Sequence, residues 1–261
     1  MRVHAALTPA EFPGLALPAA TAVVIDVLRA TTTVAAAAAA GCLRVIPVAD
    51  AESARRRAAA LPPGALLAGE RDGEPIPGFD FGNSPLEFTR ERVAGRTVIL
   101  TTTNGTQAML AAARAGAGAA GALANARAVA AWAAGQGRDV VLLCAGEKGA
   151  FCLEDAVCAG LIAARILERR PDAELSDAAV AALRLGEEYA PGLGRLAEDA
   201  QWARILIRMG RREDVEACLR LDAMEVVPVF RGDAVVAAAL TGPAPATHTD
   251  PDRSTGLEPT R

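Results

Sequence analysis

Short apolar runs alternate with longer segments of helical periodicity through most of this chain. Runs rich in Val, Ile and Leu at 22–27, 44–48, 65–68, 96–100, 139–144 and 225–230 read as strands, with a further edge pairing at 234–238. Helical segments follow most of them, at 31–40, 51–60, 85–93, 106–115, 126–134 and 153–168. Gly41 follows the first of these, where a left-handed cap conformation suits glycine. Repeated strand-to-helix succession predicts an α/β fold, with helices layered on both sides of a largely parallel or mixed sheet. From 175 to 221 the pattern turns helical throughout, with breaks at Pro191-Gly192-Leu193-Gly194 and at Gly210. That stretch is expected to pack on the sheet as a helical subregion toward the C-terminus. Residues 1–241 are therefore expected to form one α/β domain, in one lobe or two. Beyond Thr241, Pro, Thr, Asp and Ser displace the aliphatic residues, so 242–261 reads as a disordered tail.

Composition narrows the chemistry. Apolar residues make up 52% of the chain but aromatics only 3%, so the excess is alanine and the core is built from aliphatic strands under Ala-rich helices. A net charge of −4 without any Lys/Arg block argues against nucleic acid and membrane surfaces as partners. The most apolar stretch, 22–42, carries Asp26, Arg29 and three threonines and does not suit a bilayer. No basic segment followed by an apolar run opens the chain, and the five cysteines form no CxxC pair. Reduced thiols and a cytoplasmic location are the expectation. Histidine occurs only as His4 and His248, and lysine only as Lys148. Acid–base work is thus expected to fall on carboxylates, with hydroxyls, backbone amides and a metal ion assisting.

Ligands of such sheets bind beyond the carboxyl ends of strands, and four turns there are dense in polar groups. In the first, Asp26 ends an apolar strand, where burying a carboxylate is costly unless something pairs with it. Arg29 or a metal ion could be that partner. Thr31, Thr32 and Thr33 then open a helix whose free N–H groups favour an anion, or merely cap it. In the second, Glu70 and Arg71 precede an unpatterned loop that runs to Asp80 and Asn83-Ser84-Pro85. Ser84 with Pro85 reads as an ordinary helix start, which leaves Glu70, Arg71 and Asp80 unexplained. The third turn, Thr101-Thr102-Thr103-Asn104-Gly105-Thr106, offers donors to a small anion or is a common Asn-Gly turn. The fourth runs from Cys144 through Gly146 and Lys148 to Glu154 and Asp155. Asp155 shares a helical face with Ala159, Ile162 and Ile166, so it should point inward. Together these turns hold the inventory of metal-assisted phosphoryl chemistry.

Common phosphate-enzyme signatures are missing. There is no Gly-Lys-Ser/Thr, Ala150 stands where a cysteine phosphatase would need arginine after Cys144, and no aspartate lies two residues after Asp26. The chain instead resembles the 2-phosphosulfolactate phosphatase family. The matching stretches are Asp26 to Thr33, Gly69-Glu70-Arg71, Gly78 to Pro85, Thr101 to Thr106, and Cys144-Ala145-Gly146 with Glu154-Asp155 and Ala159-Gly160. The resemblance implies an α/β layered enzyme that uses Mg²⁺ to hydrolyse (R)-2-phospho-3-sulfolactate, a step toward coenzyme M. On that footing Asp26, Glu70, Glu154 and Asp155 are expected around the metal, and Asp26, Arg29 and Asp155 in catalysis. Thr31, Thr32, Arg71, Asn83, Ser84, Asn104, Gly105, Thr106 and Gly146 are expected to position a small anionic phosphorylated substrate. A binding module for an anionic metabolite, or a mutase or lyase of a phosphorylated hydroxy acid, are the competing readings. The oligomeric state stays open, a homodimer included.

Overall fold

Eleven strands join into one mixed, mostly parallel sheet in the computed structural model, which describes residues 1–238. The expected tail at 242–261 lies outside the described residues. The strands are β1 (Arg2–Ala6), β2 (Thr21–Ile25), β3 (Arg44–Pro47), β4 (Leu66–Arg71), β5 (Glu74–Pro75), β6 (Thr97–Thr101), β7 (Ala117–Gly121), β8 (Val140–Cys144), β9 (Glu174–Leu175), β10 (Pro228–Arg231) and β11 (Ala234–Ala237). Their order across the sheet is β5-β4-β6-β3-β11-β10-β7-β2-β8-β1-β9. The helices are α1 (Ala30–Ala39), α2 (Ala51–Ala59), α3 (Arg90–Val93), α4 (Gly105–Ala112), α5 (Ala126–Gly135), α6 (Leu153–Arg169), α7 (Asp177–Tyr189), α8 (Leu196–Asp199), α9 (Gln201–Arg208) and α10 (Arg212–Cys218).

Alternate residues of the central strands enter different cores. Val23 and Ile25 of β2 face a core built with α5, α6 and α7, while Ala22 and Val24 face one built with α1 and α4. Such strands are covered on both faces, which is why they read as continuous apolar runs. No helix among the described residues is long and apolar enough to cross a membrane.

The hairpin β10–β11 corrects one expectation: it is not an edge pair. Val229 bridges Ala119 of β7, and Val235 bridges Val45 of β3, so the hairpin fills the middle of the sheet. It joins two parallel groups, β4-β6-β3 and β7-β2-β8-β1. Three successive antiparallel steps give the two groups opposite senses along the ladder. The connection β2-α1-β3 crosses from one group to the other, and β6-α4-β7 crosses back. Accordingly α1 and α4 touch strands of both groups, and their starts are brought together. A Cβ built on Gly105 would lie 2.5 Å from Ala30 Cβ and 2.5 Å from Asp26 Oδ2, so no side chain fits there.

Two further differences have local causes. The helix expected at 85–93 is a 3₁₀ turn (Pro85–Glu87) followed by α3, with Phe88 buried between them and stacked 5.0 Å from Phe81. Reaching that ring takes the chain out of helical geometry, and Thr89 is extended. Strand β7 carries only Ala and Gly and so gives no β-propensity signal. The side chains of Val23 and Phe230 press so close on Gly121 and Gly118 that larger residues would collide. The helical subregion, α7 to α10, packs Leu196, Ala203, Leu206 and Val215 into the core that β2 and β8 share.

Candidate active site

The loops after β2, β4, β6 and β8 converge on a narrow cleft lined by Asp26, Glu70, Asn83, Asn104 and Glu147, with Arg29 and Trp202 at its wall. Its cavity volume is about 10 Å³, close to the space one water molecule needs. It has room for an ion or a single small ligand atom, not for a whole metabolite.

Asp26 is set by the start of α1. Its Oδ1 accepts from Ala30 N–H at 3.0 Å, its backbone carbonyl accepts from the Thr31 hydroxyl at 2.8 Å, and its N–H donates to Thr31 Oγ1 at 3.0 Å. Burial raises its pKa from 3.8 to about 7, against the Ala30 hydrogen bond and with help from the charges of Glu70, Glu154 and Glu147. Glu70, at the end of β4, accepts from Thr103 N–H and Gly73 N–H, both at 2.7 Å. It thereby ties the β4–β5 turn to the loop after β6.

Glu147 was not expected in the site. It lies in the loop after β8, accepts from Asn104 Nδ2 at 2.6 Å, and is pushed above the usual carboxylate range by burial. Its place one residue after Gly146, at the carboxyl end of a central strand, was the available signal. Asn104 completes this loop pairing by accepting from Lys148 N–H at 2.9 Å, while Lys148 Nζ stands 2.7 Å from Asp72 Oδ1.

Arg29 does not pair with Asp26. Its Nη1 lies 2.6 Å from Asp214 Oδ2 on α10, both side chains are buried, and its Nη2 donates to Gly73 O at 2.9 Å. Asp214, also unanticipated, accepts from Ser84 Oγ at 2.5 Å as well. Ser84 further caps the 3₁₀ turn at Leu86 N–H. The helical subregion thus anchors the site from behind, since Trp202 Nε1 on α9 donates to Leu28 O at 3.0 Å.

Asp155 points inward, where its two oxygens accept from Val27 N–H at 2.8 Å and Gly146 N–H at 3.1 Å. It bolts the loop after β2 to the loop after β8, and burial together with Asp26 and Glu154 raises its pKa well above 3.8. Glu154 is buried, with its pKa raised to about 7 by desolvation and by Glu147, and it faces a neighbouring wider cleft. Three of the expected substrate ligands donate their hydroxyls to backbone carbonyls: Thr31 to Asp26 O, Thr32 to Val27 O at 2.8 Å, and Thr106 to Thr102 O at 2.9 Å. Arg71 donates to Glu70 O at 2.6 Å and Thr101 Oγ1 at 2.9 Å.

Among the described residues, no three Asp, Glu, His or Cys side chains close on a common point as they stand. The donor chemistry nevertheless fits a hard cation. Asp26, Glu70 and Glu147 offer oxygens only, and Asn83 Oδ1 is buried with no hydrogen-bond partner. An orphaned carbonyl oxygen in a cleft that carboxylates line is what a Mg²⁺-sized ion would satisfy. Two clefts of about 500 Å³ open beside it, one sharing Glu147 and Trp202 with it, the other Thr103 and Asn104. Other clefts, along β1 and between α8 and α10, hold none of these groups.

A family model described as 2-phosphosulpholactate phosphatase matches residues 6–233. A probable 2-phosphosulfolactate phosphatase of Clostridium acetobutylicum is 38% identical over 210 residues, covering 80% of this chain and 89% of its own. One from Symbiobacterium thermophilum is 40% identical, covering 86% of this chain and 97% of its own. One from Thermotoga petrophila is also 40% identical, over 80% and 88% of the two chains.

Proposed function

The chain belongs to the 2-phosphosulpholactate phosphatase family, and from that premise we propose that it is a Mg²⁺-dependent hydrolase of small phosphomonoesters. The relatives' names make 2-phosphosulfolactate the first substrate to assay. The observation that carries the reading is the ion-sized cleft lined by Asp26, Glu70 and Glu147 together with Asn83, whose Oδ1 is buried without a partner.

Asp26, Glu70, Asn83 and Glu147 would hold the metal, and Asp155 and Asp214 position them. When bound, the ion supplies Lewis acidity to a phosphoryl oxygen and offsets the carboxylate charge. The chain's own groups do the rest. The starts of α1 and α4 meet at the cleft, and their dipoles favour a phosphoryl oxygen at its mouth. Glu147 lines both the narrow cleft and a wider one beside it. It takes the proton of the attacking water or returns one to the departing alcohol. Asp26 Oδ1 is engaged by Ala30 N–H in a cavity of about 10 Å³, which leaves little room for a phosphoryl group on that carboxylate. Direct attack by water, giving alcohol and inorganic phosphate, is the route this supports.

The test is phosphate release from 2-phosphosulfolactate and a panel of small phosphomonoesters, with Mg²⁺ and then with EDTA. Metal-dependent release that Asp26→Asn abolishes supports the reading. A panel wholly inert in Mg²⁺ overturns it and moves the weight to anion binding.

A further inference from the structure

Two tight turns are joined by an ion pair beside the acidic cleft. One links β4 to β5: Asp72 and Gly73 have φ of 51° and 86°, and Arg71 pairs with Glu74 across them. The other follows β8: Lys148 and Gly149 have φ of 51° and 82°, and Glu147 and Ala150 exchange backbone hydrogen bonds of 3.1 and 2.9 Å across them. Two-residue turns with both φ values positive select Asp, Asn and Gly. Asp72 and the two glycines obey that preference. Lys148, the single lysine of the chain, does not, so turn formation gives no reason for a lysine there. Its Nζ lies 2.7 Å from Asp72 Oδ1, with the two side chains 63% and 70% exposed. An ion pair that open to water contributes little to the fold, and an incoming anion can take the place of the carboxylate.

Lys148 lines both of the wider clefts that flank the acidic one. The cleft shared with Trp202 also carries Arg204, together with Glu154 and Asp199. The other, of about 500 Å³, adjoins the acidic cleft through Thr103 and Asn104, and among the described residues no carboxylate lines it. Lys148 is the one charged group on its lining, and the exposed Gln107, in the first turn of α4, adds an amide. A cleft lined by one sign of charge concentrates ligands of the other. The ammonium offers three rotatable donors on a flexible stem, which suits an anion that arrives with a substrate.

We propose that Lys148 sets substrate specificity: with Gln107, it takes a carboxylate or sulfonate on the alcohol portion of the phosphomonoester, exchanging its bond to Asp72 for one to the substrate. The inference rests on the phosphatase reading, and it names the residue by which the site tells a phosphorylated hydroxy acid from a simple alkyl phosphate.

The experiment measures kcat and KM for 2-phosphosulfolactate, 2-phosphoglycolate and ethyl phosphate with the full chain in Mg²⁺. Each acid is expressed as its kcat/KM relative to ethyl phosphate, so that differences in leaving group cancel between variants. Lys148→Met is expected to lower both ratios roughly tenfold, the scale of a lost hydrogen bond to a charged group, and mainly through KM. Lys148→Arg should restore most of the loss, and Gln107→Leu should lower the ratios by a few-fold. Asp72→Asn, which suits the same turn and removes the competing carboxylate, should raise them. Ratios that Lys148→Met leaves unchanged overturn this inference and leave the phosphatase reading standing. So does a drop in Asp72→Asn, which would mean that the ion pair itself is what the site needs. Ratios that fall with Arg204→Met instead would put the acid group in the other cleft and overturn it equally. Release from none of the three substrates refutes the phosphatase reading, and this inference with it.

Discussion

Replacing Asp26 by Asn is expected to stabilise the metal-free protein while removing its activity. The carboxylate is nearly inaccessible, and its pKa rises from 3.8 to about 7, mostly because burial penalises the charged form. Between those two values the folded chain holds a proton that the unfolded chain releases. This contribution therefore favours the fold at acid pH and is lost as pH rises from about 4 to about 7. At about 1.4 kcal/mol for each tenfold change in proton binding, ionising Asp26 costs the fold roughly 4 kcal/mol by pH 8. Sharing of that cost with Glu154, whose pKa is raised to about 7 as well, brings the gain expected from Asn nearer to about 2–4 kcal/mol. Asn keeps an oxygen for Ala30 N–H, and its amide can donate to the surrounding carboxylates. For a chain of this size the gain corresponds to a rise in Tm of about 5–10 °C. The assay is thermal unfolding in EDTA at pH 4.5 and pH 8, with phosphate release measured in parallel. The variant should melt higher at pH 8 and about equally at pH 4.5, with no release. A variant that melts no higher at pH 8, or that gains the same at both pH values, refutes the reasoning.

Three other substitutions probe the surroundings. Asp214→Ala leaves the buried Arg29 guanidinium without its carboxylate 2.6 Å away; a loss of about 3–5 kcal/mol in urea unfolding is expected, and adding Arg29→Met should recover much of it. Asn83→Ala removes the unpartnered oxygen; Mg²⁺ affinity by calorimetry should fall several-fold while the metal-free Tm barely moves, and unchanged affinity would remove Asn83 from the metal set. Gly105→Ala puts a methyl group 2.5 Å from Ala30 Cβ and Asp26 Oδ2; about 1–3 kcal/mol of stability should be lost together with most of kcat/KM, and a fully active, stable variant would mean that α1 and α4 can part freely.

The parts of the fold that were legible are those whose residues announce their own burial. Strands β2, β6 and β8 pair Val, Leu and Ile on both faces, and α6 carries its apolar stripe from the first turn. Strand β7 was illegible because its identity is fixed by neighbours, Val23 and Phe230, that crowd out side chains. The hairpin was recognisable as two strands, but its interior position depends on pairing with β3 and β7, which lie far away in sequence. At the site, Asp26, Glu70, Asn83 and Asn104 stood out because each ends a strand or opens a helix. Glu147 lay in a stretch already singled out but carried no periodicity of its own. Asp214 could not be read at all, since it belongs to a helical segment whose only link to the loops is spatial. Runs of threonine suggested ligand contacts, yet Thr31, Thr32 and Thr106 bond to nearby carbonyls, a habit of hydroxyls at helix starts.

The order of synthesis gives the central hairpin a further significance. Strands β3 and β7 both emerge from the ribosome long before β10 and β11, and both wait with an unpaired flank. Until residues 228–237 arrive, a nascent chain presents two open edges, at β3 and β7. Those edges belong to groups of opposite sense, so pairing them with each other or with a second copy is a standing route to misassembly. The hairpin therefore acts as a late clasp: a chain stopped at residue 227 should sediment as aggregates, and the same segment supplied as a peptide should compete for the seam.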